Sequence, residues 1–360
     1  MTKKYTAMID VDTLIVHSAL AGQETSVIVT HKETGWKKEF SNQTEFFGAW
    51  QRKDGGWLAQ VNADKIEKGL EPVSPDVFTI EQKVSLIDET LDDNGTAITP
   101  EVIVKGRFKN KIESIVNQPW CKDFKICYGI GRNFRYDIAQ TVPYKSNRPD
   151  KPILFDVVRD YMLWKYKDHM LTAEGVESDD IMGQELHKAW IRAKRRHENL
   201  DTVAVFIDKD IAQFPCIQYN FDKPEIGLVE IHPLEAAKNL ATQLLMGDTI
   251  DSIPGLPKLH EELLERYKLR KTKGIGEKTA RGVVESASSP REVFERVVES
   301  YKLYYGEEKK LFTPFFGEIC EMRNWLDHLN EQFRLLRMRT DITKDVGHVK
   351  DFLSRLEIEV

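Results

Sequence analysis

Eight carboxylates stand at four separated places in this chain, and their spacing carries the chemistry. Asp10 closes the short apolar run Tyr5–Ile9. Glu177, Asp179 and Asp180 precede the amphipathic stretch Asp179–His197, with Glu177 and Asp180 three apart, the spacing of neighbours on one helix face. Asp208 and Asp210 follow Val203–Ile207 and lie two apart, so extended backbone points both the same way. Asp248 and Asp251 repeat the three-residue spacing. Gathered in one place, these groups would repel strongly unless divalent cations with a preference for oxygen, Mg²⁺ or Mn²⁺, lay between them. Such a cluster suits metal-assisted displacement at phosphorus. Each piece also has a local use: acids favour a first helical turn, Asp-Lys-Asp suits a turn after a strand, and Asp248 and Asp251 suit caps. Their joint appearance in this order favours the cluster.

Something must position these groups. Tyr5–Ile9, Phe124–Tyr128 and Val203–Ile207 read as strands, the last a β-branched run of the kind covered on both faces. Helices are predicted over Val102–Val116, Ile153–Tyr166 and Asp179–His197. Strands alternating with helices predict an α/β fold with a mostly parallel sheet, and ligands then collect at the strands' carboxyl ends. Ser26–His31 and Trp36–Phe40 read as a hairpin. Residues 42–100 read as an insertion carrying a helix around Ile80–Leu91. From Pro233 onward the pattern is nearly all helical, which divides the chain into residues 1–245 and a helical region, 246–360. Trp325, Leu329 and Phe333 are expected to pack back on the first domain, and Trp36, Trp50, Trp57 and Trp120 to serve as packing groups.

The ordered set resembles a known family. Asp10, then Tyr144-Lys145-Ser146-Asn147-Arg148, Glu177-Ser178-Asp179-Asp180, Asp208-Lys209-Asp210, Gly247-Asp248-Thr249-Ile250-Asp251-Ser252-Ile253-Pro254-Gly255 and Gly274-Ile275-Gly276-Glu277-Lys278-Thr279-Ala280 follow the motif order of bacteriophage 5′→3′ exonucleases. That family includes flap endonucleases and the 5′-nuclease domains of bacterial DNA polymerases. The resemblance covers roughly residues 5–285. It implies a PIN-like 5′-nuclease domain with an arch at about 132–176, followed by a helix–three-turn–helix element. It implies that Asp10, Glu177, Asp179, Asp180, Asp208, Asp210, Asp248 and Asp251 form the metal site, and Asp12 is set aside because the family's first acid matches Asp10. It gives Lys145 and Arg148 the catalytic task of steadying the scissile phosphate, with Tyr144 against the DNA. Two features depart from the pattern. Tyr128-Gly129-Ile130-Gly131-Arg132 lacks an aspartate the family usually has there, and Lys258–Lys273 is inserted before Gly274.

Gly274 and Gly276 ahead of a helix holding Lys278 and Thr279 suit backbone contact with phosphate, and the family often binds K⁺ at this element. Eight Lys or Arg against four acids between Lys258 and Arg281 make the region locally basic. The whole chain is otherwise acidic, at net charge −6. No apolar run is long enough for a membrane span, and four scattered cysteines read as reduced thiols of a cytoplasmic protein, monomeric by expectation. The expectation is therefore a metal-dependent 5′→3′ exonuclease or 5′ flap endonuclease acting on DNA, with RNA:DNA open. The competing classes are a PIN-type ribonuclease and a DNA-binding relative without catalysis.

Overall fold

The computed structural model describes residues 4–48, 55–207, 209–317 and 320–360. Trp50 and Asp208 therefore lie outside the described residues. The chain divides into two compact units, one made of Met1–Leu14, Lys111–Asp150 and Lys165–Val360, the other of Ile15–Asn110 and Lys151–Trp164. This differs from the cut expected near residue 245.

The chain opens with β1 (Tyr5–Asp10) and α1 (Asp12–Ala19). The second unit then supplies β2 (Gln23–His31), β3 (Lys37–Phe40), α2 (Gln43–Phe47), α3 (Trp57–Glu67) and β4 (Phe78–Leu86), with the two-residue strands β5 (Thr90–Leu91) and β6 (Ala97–Ile98). The β2–β3 hairpin is the expected one. Phe78–Leu86, however, is a strand where a helix was expected, and it answers β2 one for one from Phe78 opposite His31 to Leu86 opposite Gln23. Phe78 and Ile80, two apart, join Val27 and Val29 in a small core, so period two prevails over the helical reading. Trp36 stacks on Trp57 with centroids 5.0 Å apart, and Phe40 and Phe46 pack beside them, which makes these tryptophans packing groups as expected.

The helix α4 (Pro100–Val116) leads into β7 (Cys121–Ile130), followed by α5 (Arg135–Ile138), α6 (Phe155–Lys165), β8 (Met170–Glu174), α7 (Ser178–Arg196), β9 (Thr202–Val205), β10 (Cys216–Tyr219) and β11 (Leu228–Ile231). The central sheet of the first unit runs β11-β10-β9-β1-β7-β8, parallel throughout except for β11. All four residues of β9 are buried, as a strand covered on both faces requires. The chain leaves β1 toward β7 and β8, then returns to β9 on the other side of β1. The carboxyl ends of β1 and β9 thus flank a topological switch point, where open α/β sheets form a crevice. The stretch 132–176, expected as an arch, is not one element: β8 belongs to the sheet, and Lys151–Trp164 falls in the second unit.

Beyond the sheet come α8 (Pro233–Met246), α9 (Glu261–Arg266), α10 (Glu277–Val284), α11 (Pro290–Tyr305), a small hairpin of β12 (Lys310–Phe312) with β13 (Glu321–Arg323), α12 (Trp325–Leu336) and α13 (Val349–Ser354). Leu244, Val283, Phe294, Tyr301, Leu329 and Phe333 form their shared core, which also takes in Tyr144. Each such side chain contributes about 1.5–3 kcal/mol on burial. Leu259 and Leu263 of the 258–273 insertion are buried in this core, so the insertion is packed rather than a free loop. No helix among the described residues is long and apolar enough to cross a membrane. All four cysteines are free thiols, three of them buried.

Candidate functional site

The acids after β1 and before α7 meet because the ends of two parallel strands and a helix N-terminus meet. Asp10, the last residue of β1, is buried and accepts a hydrogen bond from the Asp12 amide at 3.3 Å. Asp10 pairs in register with Cys127. Burial pushes the Cys127 thiol well up, and the nearby charges of Asp10, Glu185 and Asp179 push it further. Asp10 and Asp179 therefore share one neighbourhood. Asp12 begins α1 and is exposed as a residue. Loss of hydration at its carboxyl raises it above the ordinary value. A Ser178 hydrogen bond opposes the rise, Glu177 adds to it, and Lys145 and Arg148 oppose it.

Glu177 is the N-cap of α7 and forms a reciprocal capping box with Asp180. Its Oε2 receives the Arg135 guanidinium at 3.1 Å and lies 3.0 Å from the Tyr144 hydroxyl, while Oε1 pairs with the Lys145 ammonium. Asp180 is wholly buried and grips Arg135 with both oxygens, at 2.8 and 2.9 Å. Burial alone would raise the Asp180 carboxyl, but the Arg135 charge and hydrogen bonds bring it below the ordinary value. Arg135 is itself fully buried and also donates to the carbonyls of Leu335 and Arg337.

The turn at Asp248–Ile253 supplies the other wall. Asp248 Oδ1 accepts from the amides of Ile250 and Asp251 at 2.7 and 3.1 Å. This holds Asp251 so that its Oδ2 lies 2.8 Å from the Tyr144 hydroxyl and its Oδ1 2.6 Å from Arg148 Nη2. The Tyr144 proton thus serves Glu177 or Asp251, one at a time. Burial first, and then Glu177, lifts the Tyr144 phenol well above its ordinary value. Lys145 Nζ also stands 3.6 Å from Asp251. Asp210 is buried and accepts a hydrogen bond from the Gln243 side-chain amide. The structure therefore brings Glu177 and Asp251 together with Tyr144, Lys145 and Arg148. It adds Asp12, which the sequence reading set aside, and Arg135, which it left without a role.

Gly129, near the end of β7 in the stretch that lacks an acid, has no room for a side chain. A Cβ on Gly129 would fall 2.2 Å from the Val176 carbonyl oxygen and 2.8 Å from Glu177 Cα. The start of α7 fills that space, and Ser178 Oγ accepts from the Gly129 amide at 3.3 Å.

An all-carboxylate donor set has the right chemistry for hard divalent cations. Its arrangement is another matter: among the described residues, no three His, Cys, Asp or Glu stand close enough to hold one ion.

The expected phosphate element lies elsewhere in the first unit. Gly276 is the N-cap of α10 with no side chain to offer, and Thr279 and Ala280 donate to its carbonyl at 3.0 Å. A Cβ on Gly274 or Gly276 would meet nothing within 4 Å. Arg266, Lys271 and Arg281 are paired with glutamates. Lys258, Lys268, Arg270, Lys273 and Lys278 form no ion pair among the described residues. A cleft of about 400 Å³ beside α12 holds Arg323, Glu331 and Arg334, but these are already paired within the chain, and it contains none of the acids above.

No family model matches the chain. It is 26% identical over 170 residues to DNA polymerase I of Caldicellulosiruptor bescii, a stretch covering 43% of this chain and only 17% of that protein. Two solved structures are similar over 54% of this chain. One is the bacteriophage T5 D15 protein co-crystallised with metal ions (TM-score 0.33, 16% identity, 82% of that chain). The other is a pseudo-enzyme–product complex of that flap endonuclease with DNA and metal ions (TM-score 0.33, 14% identity, 80% of that chain).

Proposed function

We propose that this chain is a divalent-metal-dependent 5′-nuclease that hydrolyses DNA phosphodiesters at or near a 5′ end, in the manner of 5′→3′ exonucleases and flap endonucleases. The observation that carries this reading is the meeting of Glu177, Asp251 and Asp12, from three distant segments, against Tyr144, Lys145 and Arg148. A sheet end, a helix cap and a turn supply these groups, and in open α/β sheets ligands collect beyond the strands' carboxyl ends. The ordered motifs and the similarity to a DNA polymerase I support the same reading.

Asp10, Glu177, Asp179, Asp180, Asp208, Asp210, Asp248 and Asp251, with Asp12 beside them, are the candidate ligands for Mg²⁺ or Mn²⁺. Such ions, when bound, activate water and stabilise a leaving oxygen. The chain's own part is positional and electrostatic. Lys145 and Arg148 bring positive charge to where a phosphate would gain negative charge. Tyr144 braces the two walls through its hydroxyl. Gly274, Gly276, Lys278 and Thr279 hold the duplex by its backbone, without reading bases, and K⁺ at this element is part of the proposal.

The test is direct: purified protein is incubated with 5′-flap, blunt duplex and RNA:DNA substrates, each with Mg²⁺ or with excess EDTA. Cleavage releasing 5′-labelled product only with the metal supports the reading. Cleavage unaffected by EDTA refutes it, and preference for RNA would move the assignment to a ribonuclease. One observation favours a second reading, DNA binding without catalysis: no three described carboxylates are placed to hold one ion. Retarded DNA with no cleavage under any metal would select it.

A further inference from the structure

We infer that the Tyr144–Arg148 segment is a tethered cationic plug: it occupies Glu177 and Asp251 itself, and a divalent cation can bind there only by displacing it. The inference rests on the nuclease reading, since it concerns the same carboxylates. Three observations carry it. The Lys145 ammonium sits between Glu177 and Asp251, with Arg148 on the second oxygen of Asp251, so three of the four carboxylate oxygens face a cation of this segment, and Arg135 takes the fourth. Lys145 is almost wholly buried there although it sits in a connecting segment, where a lysine normally extends into water.

The third observation is backbone strain. Lys145 has φ 58° and, facing it across the contact, Ser252 has φ 60°, both in the left-handed region that non-glycine residues avoid. The strained pair is held by the Lys145 amide on the Asp251 carbonyl at 2.9 Å and by Ser146 Oγ on Ser252 Oγ at 3.1 Å. Strain of this kind persists only where surrounding contacts over-determine it, and such residues cluster at active sites and ligand clamps. An ammonium and a divalent ion compete for the same oxygens because both need them as close neighbours. The plug therefore keeps the acids neutralised until the metal arrives, and metal binding frees Lys145 and Arg148 toward a phosphate.

The experiment measures Mn²⁺ affinity by electron paramagnetic resonance titration for the full chain and for Lys145→Met, Lys145→Arg and Lys278→Met. Lys145→Met is expected to bind Mn²⁺ at least about tenfold more tightly, the change a competing charge of this proximity produces. Lys145→Arg, which keeps a plug, should bind as the parent does, and Lys278→Met should show that loss of a charge on α10 has no such effect. Hydrogen exchange on the parent protein gives the second measurement: Mn²⁺ should speed exchange at the amides of Lys145, Asn147 and Arg148. Cleavage with Mg²⁺ alongside unchanged affinity in Lys145→Met, or unchanged exchange, overturns the plug and leaves the nuclease reading standing. Absence of Mn²⁺ binding by every variant, with no cleavage, overturns both.

Discussion

Two regions of the first unit handle charge in opposite ways. At the start of α7, Asp180 and Glu177 are answered by Arg135, and Asp251 by Lys145 and Arg148. At the 258–281 segment, five basic residues form no ion pair among the described residues, and two glycines leave open space at the N-terminus of α10. The first region is closed on itself: its charges hold the protein together and hold one another in check. The second leaves part of its charge without a partner in an ion pair among the described residues. A net charge of −6 conceals this division, because a sum over the whole chain mixes internal pairs with an outward basic face.

The largest break in the contrast should come from Arg135→Met. It leaves Asp180 charged in a dry site, and removing one partner of a buried pair costs about 3–5 kcal/mol, to be read as a lower urea midpoint. The paired change with Asp180→Asn should recover much of that loss. Next, Gly129→Ala should destabilise by about 1–3 kcal/mol, because its Cβ overlaps the backbone that begins α7. Gly276→Ala is the sharpening control: with open space around it, stability should change by within about 0.5 kcal/mol, while DNA affinity falls in filter binding.

Lys273→Ala and Lys278→Ala should each flatten the slope of log binding constant against log salt by about one, if the basic face meets phosphates. Loss of binding with an unchanged slope would return that face to ordinary solvation. The smallest effect concerns acid. The Asp180 carboxyl is held below 3.8 when folded, so its contribution to stability is present above that value and is lost as pH falls through the depressed one. The Asp12 carboxyl is raised above 3.8, so it favours the fold at low pH, and that gain is lost as pH rises through the raised value. Urea unfolding between pH 3 and 7 should therefore show Asp180→Asn flattening the acid limb. Asp12→Asn should slightly stabilise the protein at neutral pH.

Much of the sheet was legible because its strands are short, apolar and β-branched, and α7 because its acids open an amphipathic run. The Phe78–Leu86 strand was not: a largely exposed strand in a three-stranded sheet shows weak alternation, and only pairing with β2 decides it. Within the site, the acids were visible but their partners were not. Arg135 meets Asp180 across 45 positions and Leu335 across 200, distances over which spacing carries no signal. Asp12 was passed over because the resemblance matches the family's first acid to Asp10, and only the turn into α1 brings it to Ser178. The glycines before α10 were read as places of close approach. Among the described residues, a Cβ on either would meet nothing within 4 Å.

The reach of Arg135 has a consequence for synthesis. Its guanidinium depends on the carbonyls of Leu335 and Arg337, which leave the ribosome only after the rest of the acid cluster has been made. The nascent chain must hold this cation half-satisfied until α12 emerges. Until then the acid cluster lacks two of the acceptors that hold its central cation.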